Sequence, residues 1–259
     1  MTVFLTTQEW MKFNIMNNLK VGVVGYQGRM GQEILKVLEQ KQIEVLTQGG
    51  EFGGDKTEIF ENSNVVIDFT NAQGLEECLN FVEKYQTPFV SGSTAMNDEL
   101  MKKILKISQN SKICWSSNTS IGIAITKKIS AMVGKMLENY DCEILEKHHN
   151  KKKDAPSGTA ISLGQAVAKA RNVDFNDVAT IERNGERKQG QIGFASIRGG
   201  SIFGEHDVMF IGENDEITIT HKAYNRKLFA VGAVECALKL LQKEQNGFYT
   251  VEDLMFDNF

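Results

Sequence analysis

The sequence predicts an α/β protein with an N-terminal Rossmann-like parallel sheet and a second, α+β domain built on an open mixed sheet. From Lys20 to Ser116, short runs rich in valine and isoleucine alternate with segments of helical periodicity. This alternation is typical of parallel strands joined by right-handed helical crossovers. The pattern changes after Asn118, where three late strand-like runs follow one another with no helix between them, as in an antiparallel or mixed sheet.

Apolar runs and turn residues define the elements of the first half. Ile34, Leu35 and Leu38 recur at helical spacing behind a glycine-rich loop, and Val65–Thr70 has the composition of a buried strand. The predicted strands are Lys20–Val24, Ile43–Leu46, Val65–Thr70, Pro88–Gly92 and Ile113–Ser116, and the predicted helices are Gln32–Gln40, Gln73–Tyr85 and Asn97–Gln109.

The second half begins with a long helix of small and apolar residues. Strand-like runs after it are separated by Gly, Asn, Asp and Glu, which favour turns. The predicted helices are Ile121–Leu137, Ser157–Arg171 and Leu228–Gln242, the strands are Cys142–Lys147, Val178–Arg183, Gln191–Arg198, Asp207–Gly212 and Glu216–His221, and Tyr249–Phe256 holds a last apolar turn.

Composition bounds the classes of function. The chain has 259 residues, 41% of them hydrophobic, and a net charge of −4, which gives no electrostatic case for nucleic acid or an anionic membrane surface. No apolar run approaches the roughly 18 residues of a membrane span. The four cysteines are scattered without metal-ligand spacing, so we expect no metal site and a cytoplasmic location.

Residues 1–18 form an N-terminal extension. They have no basic segment followed by an apolar one, so a signal peptide is not expected. The extension is either a tail, or the product of a misplaced start codon with Met11 or Met16 as the true start, or an ordered segment that packs on the fold.

A glycine-rich loop follows the first predicted strand and opens a helix. Its form is Gly25-x-x-Gly28-x-x-Gly31, with Tyr26 where the usual dinucleotide fingerprint has a glycine. Such a loop lets the backbone approach a pyrophosphate, and the helix start offers N–H donors. The alternative is a glycine turn that serves only helix–sheet packing.

We assign residues 19–120 and 226–259 to a dinucleotide-binding domain and residues 121–225 to a substrate-binding and oligomerisation domain.

A carboxylate that reads the adenosine ribose is expected about 20 residues after the glycine loop. Glu51 lies at this distance, and no arginine or lysine lies beside it before Lys56. A carboxylate here would accept the ribose hydroxyls and repel a 2′-phosphate. The cofactor is therefore NADH or NADPH, with a lean to NADH.

Small polar loops follow two more predicted strands. These are Ser91-Gly92-Ser93-Thr94 and Ser116-Ser117-Asn118-Thr119. Ligands of open α/β sheets bind outside the carboxyl ends of the strands, so both loops are placed to line a nicotinamide crevice. Small polar residues are equally ordinary in loops that bind nothing.

Acid–base groups, cations and a helix start come together in His148–Ala160, which reads His-His-Asn-Lys-Lys-Lys-Asp-Ala-Pro-Ser-Gly-Thr-Ala. Imidazoles exchange protons near neutral pH, and a helix start binds anions. Side chains alternate along a strand, so the rings of His148 and His149 should point in opposite directions. The segment indicates a small substrate that carries carboxylates. A structural histidine and a solvated run of lysines are the alternative interpretation.

Several segments in order resemble the 4-hydroxy-tetrahydrodipicolinate reductase (dihydrodipicolinate reductase) family of the lysine and diaminopimelate pathway. The match extends from about Leu19 to the C-terminus. The segments that carry the resemblance are Val23–Gly31, Val66–Thr70, Glu146–Ala160, Ile192–Gly200, Gly204–Asp207 and Ile219–Ala223.

This resemblance implies roles for individual residues. His148 would be the acid/base, Lys152 a proton donor, His149 a contact to the small dicarboxylate substrate, and Gly158 and Thr159 a backbone cradle for a carboxylate. It also implies a homotetramer. The implied cofactor contacts are Gly25, Tyr26, Gln27, Gly28, Arg29, Met30, Gly92, Ser93, Thr94, Ser116, Ser117, Asn118 and Thr119.

One departure from the family pattern bears on the cofactor. Phe52 follows Glu51 where a basic residue would help to hold a 2′-phosphate, which disfavours a strong preference for NADPH. Two other functions stay open from the residues alone: a nucleotide sensor that has lost its chemistry, and a different dehydrogenase, for which Cys142 would be the nearest candidate nucleophile. Arg198 could contact substrate or make a structural ion pair.

Overall fold

The computed structural model describes residues 19–47, 49–51, 53–94 and 96–256, so the extension 1–18 and Phe52 lie outside the described residues. The chain divides into two compact units. One runs up to Ser120 and resumes at Lys227, and the other is Ile121–Arg226. The sequence analysis places the first boundary at the same point, after residue 120, and the second after residue 225, one residue earlier than in the structure.

The first unit is built on a parallel sheet with helices packed against it. Its strands are β1 (Lys20–Val24), β2 (Glu44–Leu46), β3 (Val65–Asp68), β4 (Phe89–Ser91), β5 (Lys112–Trp115) and β11 (Gly247–Tyr249), in the order β11-β5-β4-β3-β1-β2. Its helices are α1 (Arg29–Gln40), α2 (Thr57–Asn62), α3 (Ala72–Tyr85), α4 (Asp98–Ile107), α8 (Lys227–Leu241) and α9 (Val251–Met255).

Burial on both faces explains the continuous apolar runs of this sheet. All four residues of β3 and all three of β4 are buried, as expected for parallel strands covered by helices. Strand β1 lies between β2 and β3, so the strand order reverses at β1. In doubly wound sheets, ligands bind outside the carboxyl ends of the strands at such a reversal. Helix α8 packs against α1 and the central strands, which ties the C-terminal segment to this unit.

The second unit contains a mixed sheet. Its strands are β6 (Asp141–His148), β7 (Ala179–Thr180), β8 (Ile192–Arg198), β9 (Gly204–Ile211) and β10 (Glu216–Ala223), in the order β10-β9-β6-β8-β7, and its helices are α5 (Ile121–Met136), α6 (Gly158–Ala170) and α7 (Phe175–Val178). Strand β6 pairs antiparallel with β9 and parallel with β8. Residues along β6 alternate strictly between half-buried and buried, so one face of the sheet packs on the core.

The predicted fold class is confirmed, and one strand of the sequence analysis is corrected. The predicted strand Val178–Arg183 is shorter than expected: Phe175–Val178 forms α7, with Asp174 capping its start, and only Ala179–Thr180 forms a strand, β7. The aromatic ring of Phe175 packs edge-to-face on Phe194, which favours the helical turn over an extended chain.

Two elements were not predicted. Helix α2 is short, and its adjacent buried residues Ile59 and Phe60 show no clear periodicity. Strand β11 lies almost entirely before the predicted apolar turn at Tyr249–Phe256, and it pairs in parallel with β5 at the sheet edge. Among the described residues, no helix is both long and apolar enough to cross a membrane.

Candidate active site

The loop after β1 requires glycine at two positions for different reasons. Gly25 has a φ of +77°, in the left-handed region, and its N–H donates to the carbonyl oxygen of Gly50 at 2.8 Å. At Gly31 a Cβ would lie 2.3 Å from the carbonyl oxygen of Gly25, so only glycine lets α1 start this close to the loop. The glycine spacing of the loop therefore reflects the close approach of the first turn of α1 to the backbone of Gly25.

The start of α1 suits a phosphate. Gly28 is the N-cap and has no side chain to accept from the first-turn N–H groups, and the first turn holds no acidic residue. The orphan N–H donors of a helix start, together with the helix dipole, favour an anion. This part of the chain fits the pyrophosphate of a dinucleotide.

A buried carboxylate orders the neighbouring strand ends. Asp68, at the end of β3, accepts from the N–H and the hydroxyl of Thr70 and from the hydroxyl of Ser91 at 2.8 Å. Ser91 Oγ in turn accepts from the N–H of Ser93, and the Ser93 carbonyl accepts from the indole of Trp115 at 2.9 Å. The polar loops after β3, β4 and β5 are thereby linked at one edge of the sheet.

The loop after β5 closes on itself and on α8. Ser116 Oγ donates to the carbonyl of Asn118 and accepts its N–H, while Thr119 Oγ1 donates to the carbonyl of Phe229 at 2.7 Å. The structure thus places the predicted segments Gly25–Met30, Gly92–Thr94 and Ser116–Thr119 at the carboxyl ends of β1, β4 and β5 of the parallel sheet.

Lys56 is not available to a bound nucleotide. Its side chain is buried, and Nζ donates to the Gly54 carbonyl at 3.0 Å and to Glu77 at 3.1 Å. Glu51 is half-buried in the same loop, which the bond from Gly25 to Gly50 holds beside the glycine-rich turn. The nearest lysine to Glu51 in sequence therefore acts as a structural tether of the loop.

In the second unit, Glu146 of β6 is the centre of a hydrogen-bonded cluster. Its carboxylate is fully buried and accepts hydrogen bonds from the two terminal guanidinium nitrogens of Arg198, at 2.6 and 2.8 Å. It also contacts Nδ1 of His148 at 2.5 Å and accepts the N–H of Ser157 at 3.0 Å. Arg198 is thereby placed in a structural ion pair, the second of its two proposed roles.

His148 ends β6 and is buried, whereas His149 lies one residue beyond the strand and is half-buried. The ring of His148 meets the ring of His206 edge-to-face, with centroids 5.2 Å apart. His206 Nε2 lies 3.1 Å from the hydroxyl of Ser157. Two imidazoles and a helix cap therefore form one buried cluster.

The remaining predicted residues surround this cluster. Ser157 caps α6 by accepting the N–H of Ala160, so Gly158 and Thr159 occupy the first turn of the helix. A Cβ on Gly158 would meet no atom of the described residues within 4 Å, so the backbone there is open to a ligand. Lys152 Nζ pairs with Asp154 at 2.9 Å.

Burial and hydrogen-bonded or charged neighbours shift the pKa values of Glu146 and His148 in opposite directions. Burial alone would raise the pKa of Glu146, but the hydrogen bonds from Arg198, His148 and Ser196 outweigh it and lower this pKa to about 2. Burial lowers the pKa of His148 more than the nearby Glu146 raises it. Burial, with a smaller effect of His148, lowers the pKa of His206 to about 3.

Sequence reasoning missed the roles of Glu146 and His206, and it placed Ser157 at a helix start without predicting its contacts to these two residues. Glu146 and His148 are two residues apart on a strand, so their shared face could have been predicted from strand alternation. His206 lies in Gly204–Asp207, one of the segments that carry the family resemblance, but only the pairing of β6 with β9 brings it opposite Glu146. Burial raises the pKa of the Cys142 thiol to about 12, which removes the basis for a nucleophilic cysteine there.

We predict that stability falls below about pH 6.5 because the unfolded chain binds a proton on His206 that the folded chain, with a His206 pKa of about 3, does not bind. One such histidine lowers the free energy of unfolding by about 2 kcal/mol at about pH 5. Denaturant unfolding between about pH 8 and pH 5 measures this decline. His206→Gln should make it shallower, and an equally steep decline in that variant would contradict the assignment.

Family models match nearly all of the described chain. Residues 19–119 match the model described as dihydrodipicolinate reductase, N-terminus, and residues 122–255 match dihydrodipicolinate reductase, C-terminus.

Full-length relatives and a solved structure are similar to the chain. A 4-hydroxy-tetrahydrodipicolinate reductase of Campylobacter jejuni is 38% identical over 243 residues, covering 92% of this chain and 99% of the relative. One of Wolbachia pipientis is 37% identical with the same coverage. A dipicolinate-bound dihydrodipicolinate reductase from Paenisporosarcina shares the fold, with a TM-score of 0.75 at 22% identity over 92% of this chain and 99% of that one. The predicted resemblance is confirmed: the chain belongs to the dihydrodipicolinate reductase family.

Proposed function

We propose that this chain catalyses the NAD(P)H-dependent reduction of 4-hydroxy-tetrahydrodipicolinate to tetrahydrodipicolinate, with loss of water, in lysine and diaminopimelate biosynthesis. The observation that carries the proposal is the cluster in which Glu146 joins the imidazole of His148 to the start of α6. An acid–base group beside an anion-binding helix start suits a dicarboxylate that is protonated as it is reduced. Family membership supplies the substrate and the reaction.

The first unit would hold the cofactor, whose nicotinamide supplies hydride when bound. Gly25, Gly28 and the start of α1 would bind the pyrophosphate through backbone N–H groups. The loops Gly92–Thr94 and Ser116–Thr119 would contact the nicotinamide half. The close approach at Gly31 supports this assignment because a larger residue there would displace the loop.

The second unit would bind the substrate and move the proton. One carboxylate of the substrate would lie at the first turn of α6, on Gly158 and Thr159, and His149 would contact the substrate from outside the strand. His148 or Lys152 would donate the proton that neutralises charge on the conjugated ring. Because burial lowers the pKa of His148, its imidazolium form releases a proton readily.

Replacement of the two candidate proton donors should separate chemistry from cofactor binding. We expect His148→Gln and Lys152→Ala each to lower kcat about 10²-fold or more, the usual contribution of a positioned acid, with little change in NADH binding. Lys151→Ala is the matched control because Lys151 is exposed in the same turn. Coupled turnover with the synthase that makes the substrate measures kcat, and unchanged kcat in both variants would refute the assigned roles.

For the cofactor we propose a preference for NADH over NADPH. The support is the acidic Glu51 beside the glycine-rich turn and the engagement of Lys56 with Glu77. We expect Glu51→Gln to lower the ratio of kcat/KM for NADH to that for NADPH about tenfold, as loss of one charge-assisted hydrogen bond would. Glu58→Gln, on the exposed side of α2, is the control. A wild-type ratio below one would overturn the preference.

We infer a homotetramer formed through the second unit. Apolar side chains at helical spacing on α5 are exposed, with Met132 57% and Met136 76% exposed, and β10 leaves one edge of the sheet unpaired among the described residues. Sedimentation of the purified chain should give a tetramer, and Met132→Lys should dissociate it. A monomeric wild type would contradict the inference.

We further infer a cytoplasmic enzyme whose partners are small molecules and copies of itself. All four cysteines are buried free thiols, and the net charge is −4, so neither an oxidising compartment nor a polyanionic partner is favoured.

A further inference from the structure

We propose that Glu146 is a positioning residue that holds His148 in the Nδ1–H tautomer, directs Nε2 toward the substrate, and orients the start of α6 with the same carboxylate. The inference rests on the proposed function for the identity of the substrate. The tautomer itself is a property of the free protein.

The Glu146 carboxylate is saturated with hydrogen-bond donors. Oε1 accepts from the N–H of Ser157 at 3.0 Å and from Arg198 at 2.6 Å. Oε2 accepts from Arg198 at 2.8 Å and lies 2.5 Å from Nδ1 of His148. A bidentate guanidinium fixes the plane of a carboxylate, so the direction of the bond to His148 is also fixed.

The charge of Glu146 decides which group donates in the hydrogen bond between Glu146 and His148. The pKa of Glu146 is about 2, so the group is a carboxylate at neutral pH and can only accept hydrogen bonds. At this contact Nδ1 of His148 must therefore carry the hydrogen. In neutral imidazole, the nitrogen opposite a protonated Nδ1 presents a lone pair, so Nε2 becomes the site that takes up and releases the catalytic proton.

The His148 ring lies among charged and titratable groups from four segments of the second unit. Charged or titratable groups face it from its own strand (Glu146), from β8 (Arg198), from β9 (His206) and from the turn after β6 (Lys152, with its partner Asp154). Of these, only Glu146 contacts a ring nitrogen within the described residues. Nε2 lies beside Gly204, where an added Cβ would be 3.0 Å away, so glycine leaves this side of the ring open.

Glu146 also links the imidazole of His148 to the start of α6. The same carboxylate that contacts His148 accepts the N–H of Ser157, the residue that caps α6. Ser157 also meets His206, whose ring packs on His148. A shift of Glu146 would therefore displace the acid–base group and the first turn of α6 together, so both are set by one side chain.

The tautomer can be measured in the unmodified full-length chain. Nitrogen-15 chemical shifts of histidine side chains distinguish a protonated Nδ1 from a protonated Nε2. The signals of His148 are those that disappear in the variant His148→Gln. We expect them to show that neutral His148 carries its hydrogen on Nδ1. A hydrogen on Nε2 would overturn the proposal even if the enzyme turns over its substrate.

The variant Glu146→Gln tests the consequence for catalysis. The glutamine amide in this variant can donate a hydrogen bond to Nδ1, so His148 should no longer prefer the Nδ1–H tautomer. We therefore expect kcat to fall about 10²-fold while KM for NADH stays within about twofold, as is typical when an orienting carboxylate is lost. Loss of the negative charge lowers the pKa of His148 further, so the His148 limb of the kcat profile should move to lower pH. An unmoved limb with an unchanged tautomer would leave Glu146 a purely structural residue and contradict the proposal.

Two further variants complete the design. Glu205→Gln removes a carboxylate from the other face of the same sheet, where Glu205 pairs with Lys147, and should leave tautomer and kcat unchanged. Glu146→Asp retains the charge and should recover part of kcat together with the Nδ1–H tautomer, and it serves as the test if the glutamine variant does not fold. Recovery of folding without the tautomer would contradict the proposal. Absence of turnover in the wild type with the Nδ1–H tautomer present would refute the proposed function alone.

Discussion

The arrangement of the second unit depends on one buried charge. An ionised carboxylate without exposed surface is strongly unfavourable unless it is paired and its lone pairs are satisfied. Glu146 meets this requirement only by drawing together Arg198 from β8, His148 from its own strand and the N–H of Ser157 from the start of α6. His148, one of the two proposed proton donors, and the start of α6 are held where they are because this carboxylate needs them as donors.

The first unit orders its strand ends around a different kind of buried carboxyl group. Asp68 is as buried as Glu146, but it accepts only from Thr70 and Ser91 and lies in no ion pair among the described residues. Burial accordingly raises the pKa of Asp68, whereas the guanidinium of Arg198 helps to keep that of Glu146 low. One carboxyl group organises neutral polar loops, and the other organises an acid–base site with a permanent charge.

Periodicity and turn residues were sufficient to predict the alternating half of the chain because parallel strands buried on both faces are continuous apolar runs. They failed at Val178–Arg183 and at β11, where packing of Phe175 on Phe194 and pairing with β5 decide the conformation. The glycine loop and the segment His148–Thr159 were found from residue type and spacing. His206 was missed as a site residue because it is 58 positions from His148 in the sequence.

The sequence by itself established the fold class, the family and most of the residues proposed to act, since backbone requirements and reactive groups are local properties of short segments. It did not decide whether Arg198 contacts the substrate or makes a structural ion pair, and it assigned no role to Glu146. Strand pairing settled both questions: β8 and β9 flank β6 and bring Arg198 opposite His148 and His206 opposite Glu146. The protonation state and tautomer of a buried group depend on such neighbours, because desolvation and hydrogen bonding act through space rather than along the chain.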